Sequence, residues 1–299
     1  MESAFSIQST LKPDQVAVLM IEHAVVKHGT RYDKVFFKAV LAGIMLSFGG
    51  LMNELVQAGS TTLALENPAL VKILGGFVFP TGFVLIVMLG LELLTSNMCV
   101  FPMAVVKKAI PWWSLPVNWI IVTFGNLCGS LFVAAILVHY SGIVSTEPYL
   151  SGFVAYAEKK AVTPEWHQIF LRGIGCNILV CLAVWLASGA KETTSKLIAI
   201  WIPIWIFVAV GFDHGNEYVL RATGDHVRRR RYIRKSLIAT YLGNIVGAAI
   251  VWAPAVYFYL GDFSPAGLME EAEEGKASSM DPNRRSSAAT TLSTRKDGS

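Results

Sequence analysis

LELLTSNMCVFPMAVV, residues 91 to 106, sets an acid and then a Thr-Ser-Asn string between two apolar stretches. Upstream of it no charged residue stands between Ile73 and Leu91, and a second apolar run follows from Met98. In water such an interruption would be an ordinary loop. Inside a bilayer, irregular backbone is tolerated only where protein buries it or where it lines a cavity, because nothing else satisfies its N–H and C=O groups. The fold therefore turns on whether the flanking segments cross a membrane.

Composition says that they do. The 299 residues are 54% hydrophobic and 15% charged, with a mean hydropathy of +0.51, which is far too apolar for an ordinary soluble domain. Besides Ile73 to Leu91, uncharged stretches run from Ala109 to Thr146, Gly173 to Ala190, Leu197 to Phe212 and Leu237 to Gly261. Ala39 to Asn53 with its flanks makes a sixth, and a helical span needs roughly 20 mostly apolar residues. A soluble helix keeps a polar face at a 3.6-residue period, and IAIWIPIWIFVAVGF (198 to 212) has none. The polar start at Met1 lacks the apolar core of a cleavable signal, so the first span is expected to direct insertion.

Little points to an enzyme. Cys99, Cys128, Cys176 and Cys181 all lie in apolar segments without metal-ligand spacing and read as small packing residues. Rossmann, P-loop, HExxH and GxSxG patterns do not occur, and no cofactor is implied. The net charge of +4 includes Arg228 to Arg231, so it does not argue for a nucleic-acid partner.

The chain also repeats itself. GNLCGSLFVA (125 to 134) is similar to GNIVGAAIVW (243 to 252), and the paired glycines of each would let two helix backbones approach closely. Earlier in each half a proline, Pro80 or Pro203, precedes an apolar run closed by Gly-Leu-Glu (90 to 92) or Gly-Phe-Asp (211 to 213). Three spans per half is an odd number, so the halves would enter the membrane from opposite sides as an inverted repeat. Outside the spans, residues 12 to 28 have the pattern of a surface-lying amphipathic helix ending at Gly29. From Asp262 onward large apolar groups nearly vanish, and a disordered tail is expected.

At LELLTSN, RGIGCNILVCLAVW, GFDH and GNIVG the sequence resembles the formate/nitrite transporter family, in order over roughly residues 12 to 260. The resemblance implies an all-α integral membrane protein, an aquaporin-like six-helix bundle built from an inverted three-helix repeat, with helices 2 and 5 broken. It divides the chain into a cytoplasmic N-terminus (1–34), a channel domain (35–260) and a cytoplasmic tail (261–299). It implies a homopentamer with one pore per protomer, set in a lipid bilayer, that passes nitrite, formate or their conjugate acids with protons. The polar tail would fit a fungal nitrite-uptake branch at the plasma membrane. Carried over by motif, the substrate pathway would comprise His214, Thr95, Asn177, Lys160, Leu94 and Ser96. Thr95 would hydrogen-bond the permeant or the histidine, and Lys160 would gather anions outside. Phe79, Phe83, Leu93, Val180 and Phe207 would form the apolar constrictions.

One segment departs from the family. After Gly-Phe-Asp-His the chain reads GNEYVLRATGDHVRRRR (215 to 231), where the second half of helix 5 is expected, and the match resumes only near Tyr232. With both termini inside, Lys27, Arg31, Lys34, Lys107, Lys108, Lys191 and Lys196 obey the positive-inside rule, whereas these arginines break it. Three readings stand open: an external basic loop, an error of gene structure, or a vestibule that collects anions. The abrupt borders favour the second. A chain so altered could also serve as a non-transporting or regulatory subunit of a homologous pentamer. The tail's RRSS (284 to 287) has the form of a phosphorylation site.

Overall fold

A computed structural model describes residues 10–157, 163–212 and 236–261. Its helices are α1 (Pro13–Gly29), α2 (Tyr32–Gly59), α3 (Thr61–Glu66), α4 (Pro68–Val78), α5 (Pro80–Met88) and α6 (Leu94–Val106). They continue as α7 (Ser114–Phe132), α8 (Tyr149–Ala157), α9 (Trp166–Gly189), α10 (Thr193–Val210) and α11 (Ile238–Ala255). Among the described residues, six units are long and apolar enough to cross a membrane: Tyr32–Gly59, Pro68–Met88, Ser114–Tyr140, Trp166–Gly189, Thr193–Val210 and Ile238–Leu260. These are the six stretches expected from hydropathy. The second unit is α4 and α5 joined at Phe79, whose φ of −59° and ψ of −39° keep the helical path through Pro80.

The inverted repeat is visible in the packing. In the first half α2 lies along α7, and in the second α9 lies along α11. Each pair closes through a GNxxG face: a Cβ at Gly129 would strike the carbonyl of Val40, and one at Gly247 that of Ile174. Both third spans then relax at their C-terminal ends into π-helical turns, Val133–Tyr140 and Val256–Leu260. The halves meet where α10 packs against α4 and α5, and where α6 packs against α11.

Around this bundle the apolar residues Leu41, Phe48, Met52, Ile120, Phe124 and Leu131 remain exposed. So large an apolar surface suits lipid or neighbouring protein rather than water. Helix α1 has Pro13 at its start and Gln15 Oε1 accepting from Lys12 N–H at 3.0 Å. Its buried residues Val16, Ala17, Met20, Ile21, Ala24 and Val25 face α6 and α9, so the amphipathic face goes into protein. Cys99, Cys176 and Cys181 are buried and Cys128 is exposed, all four as free thiols.

Candidate permeation site

The site begins with two matching helix ends. At the end of α5, Gly90 takes φ +61°; its N–H donates to Val87 O at 3.2 Å, and that of Leu91 to Ile86 O at 3.0 Å. At the end of α10, Gly211 takes φ +90°; its N–H donates to Val208 O at 3.1 Å, and that of Phe212 to Phe207 O at 3.0 Å. Only glycine enters this left-handed conformation without a steric penalty, and it closes both helices with the same pair of bonds. The Gly-x-acid strings of the sequence thus mark equivalent stops.

The break itself differs from the expected Thr-Ser-Asn loop. Irregular backbone runs from 89 to 93, and Thr95, Ser96 and Asn97 form the first turn of α6. The cause is Asn126 on α7, which is 1% exposed. Its Oδ1 accepts from Leu94 N–H at 3.0 Å, and its amide donates to the carbonyls of Glu92 and Ala39, both at 2.8 Å. One side chain therefore caps the new helix, ties down the loop carbonyl and fastens both to α2. Sequence reading missed Asn126, although the asparagine common to GNLCG and GNIVG was the signal. Its counterpart Asn244 is 3% exposed, with its Oδ1 lacking a hydrogen-bond partner among the described residues.

A second polar cluster lies beside the loop. The Glu92 carboxylate, on a residue 2% exposed, receives Lys27 Nζ of α1 at 2.7 Å and Asn97 Nδ2 at 2.8 Å. Asn97 also donates to Asn118 Oδ1 at 2.9 Å. A buried charge persists only when paired and hydrogen-bonded, so these contacts let Glu92 sit inside the bundle. Lys27, Glu92, Asn97 and Asn118 were likewise absent from the residues chosen by sequence.

On the apolar side, Phe79, Phe83, Leu93, Val180 and Phe207 fall into one buried cluster with Leu46, Ile86 and Ile204. Phe79 and Phe207, one from each half, meet edge to face with ring centroids 5.5 Å apart. Leu93 also forms the N-cap position of α6, so the positive end of that helix dipole opens beside the cluster. Thr95 is buried in the following turn, while Leu94 and Ser96 are half-buried. Asn177 is fully buried; its amide donates to Asn244 O at 2.7 Å and approaches Met98 Sδ at 3.8 Å. Five constriction candidates are thus brought together, and Asn177 reaches α6 one turn beyond Thr95. His214, Lys160 and the basic segment 215–231 lie outside the described residues. Among the described residues, no group of three or more His, Cys, Asp or Glu is placed to hold a metal ion.

Comparison with known proteins agrees with the six-span fold. A family profile described as "Formate/nitrite transporter" matches residues 14–259. The chain is 37% identical to the formate channel BtFdhC of Bacillus thuringiensis over 242 residues, covering 80% of this chain and 91% of that one. It is 36% identical to the uncharacterized transporter YrhG of Bacillus subtilis over 251 residues, covering 83% and 92%. Among solved structures it is similar to a pentameric formate channel with formate bound, with a TM-score of 0.64 and 26% identity over 78% of this chain and 98% of that one. The chain belongs to the formate/nitrite transporter family.

Proposed function

We propose that this protein carries small monovalent anions, formate and nitrite, across the plasma membrane as a homopentamer with one pathway per protomer, passing them through mid-membrane as conjugate acids. The observation that carries the reading is the junction at Leu93. There an apolar cluster drawn from both halves meets the positive start of a broken helix. Such a junction attracts an anion and refuses it while it stays charged. Even on lenient insertion scales a carboxylate at mid-bilayer costs about 2.5 to 3.5 kcal/mol, a cost that a small neutral acid avoids.

The remaining roles follow from chemistry. Lys160 gathers anions at the outer mouth. His214, two residues beyond Phe212, lends the proton, since imidazole is the side chain that titrates near neutral pH. Thr95 and Asn177 supply hydrogen bonds beside the apolar cluster. The cationic residues Lys27, Arg31, Lys34, Lys107, Lys108, Lys191 and Lys196 support cytoplasmic termini. The arginine-rich replacement after His214 favours a second reading, a non-transporting subunit of a homologous pentamer.

Uptake of labelled formate and nitrite into proteoliposomes decides between them. The transport reading expects influx above that of empty vesicles, faster as the outside is acidified. Folded pentamers that leave influx at the empty-vesicle level would establish the second reading.

A further inference from the structure

A groove of about 490 Å³ opens between α1 and the end of the sixth span, with Leu11, Val18, Leu19 and Tyr259 as its apolar wall. Asp14 and Glu22 stand along it, eight residues apart on α1 and so about 12 Å apart along the axis. Among the described residues neither carboxylate has an ion-pair or hydrogen-bond partner. Tyr259 is 44% exposed, and Tyr257 and Phe258 beside it are more so. An anionic membrane surface would be repelled by this pair of acids. An extended basic segment would not.

The described chain ends at this groove. Gly261 lies two residues past Tyr259, and Lys107 Nζ fixes the exit by donating to Gly261 O at 2.7 Å and Leu260 O at 3.4 Å. The 38 residues beyond carry one pair of adjacent arginines, Arg284 and Arg285. The stretch EEAEE (270 to 274) has the wrong sign for the groove. Twenty-two residues stand between Gly261 and Arg284, and a chain of that length reaches at most roughly 70 to 80 Å, ample for the arginines to return to the exit point. Tethering keeps their local concentration near the millimolar range.

We propose that residues 283–287, NRRSS, of the chain's own tail dock in this groove, Arg284 and Arg285 pairing with Asp14 and Glu22. Guanidinium is suited to this because its planar fork binds carboxylates in bidentate fashion. Ser286 and Ser287 adjoin the arginines, so phosphorylation of either sets a doubly charged group against the same acids and releases the tail. The contact is independent of which anion the protein carries.

The test uses the full chain in lipid nanodiscs with benzoylphenylalanine at position 18 and, separately, at position 19, followed by irradiation and peptide mapping. The expected adduct joins α1 to the peptide containing 283–287. It should fall roughly fivefold in Arg284→Ala/Arg285→Ala and again at high salt, as two exposed ion pairs dictate. Mixing isotopically labelled and unlabelled chains tells a tail of the same protomer from that of a neighbour. Adducts confined to lipid or to the membrane spans of a second copy would overturn the proposal. So would a tail adduct indifferent to the arginines, or none from either position.

Discussion

Replacing Asn126 with alanine removes the cap, the tie on the loop and the link to α2 at one stroke. Two groups lose their bonding inside the bundle, the N–H of Leu94 and the carbonyl of Glu92, whereas Ala39 O belongs to the interior of α2. An orphaned buried group costs roughly 1 to 3 kcal/mol, so the change should destabilise the break by about 2 to 6 kcal/mol. The loss is local, and hydrogen exchange in nanodiscs reads it directly. Protection of the amides at 92 to 97 should fall by at least about thirtyfold, since each 1.4 kcal/mol is a factor of ten in the opening equilibrium, while α9 should keep its protection. Formate influx should fall with it, because Leu93 and Thr95 are held in place through Leu94. Unchanged protection in this segment would refute the idea that Asn126 sets the start of α6.

Other expectations follow from the same geometry. Phe207→Ala should cost about 3 to 5 kcal/mol of stability by opening a cavity against Phe79, and in protein that still folds the acetate-to-formate flux ratio should rise. Lys27→Met should cost about 3 to 5 kcal/mol by leaving Glu92 buried and unpaired, and Lys27→Met/Glu92→Gln less than Lys27→Met alone, as thermal unfolding would report. The His23 ring stays partly open to solvent, yet the protein packed beside it, reinforced by Lys27 and Lys196, holds the imidazole below its ordinary value of 6.5. The unfolded chain then binds more protons than the folded one, so stability should drop as pH falls below 6.5; a pH series of unfolding curves for His23→Gln should lack that component.

The six spans could be read from sequence because hydropathy is a one-dimensional signal, and the span from Pro68 to Met88 announces itself without knowledge of its neighbours. The stops at Gly90 and Gly211 were legible for a similar reason: a left-handed glycine is a local requirement. The start of α6 was not. Thr95, Ser96 and Asn97 look like loop residues, and what makes them helical is Asn126, whose bonds reach partners 32, 34 and 87 residues away. Helix α1 shows the same limit in another form. Its apolar periodicity is the same whether the face meets lipid or, as here, Met98, Phe101 and Cys181. Lys27 reaches Glu92 across a sequence distance that no local pattern encodes. The constriction residues came from family resemblance, and their gathering into one cluster is a property of the packing.

Proton-linked passage through His214 is tested by following formate uptake and proton movement together, in proteoliposomes of this chain and of His214→Asn at matched protein amount. Each formate should enter with about one proton, acid outside should speed both, and His214→Asn should abolish this pH dependence. Wild-type pH dependence in His214→Asn, or formate entry without protons, would contradict proton-linked passage.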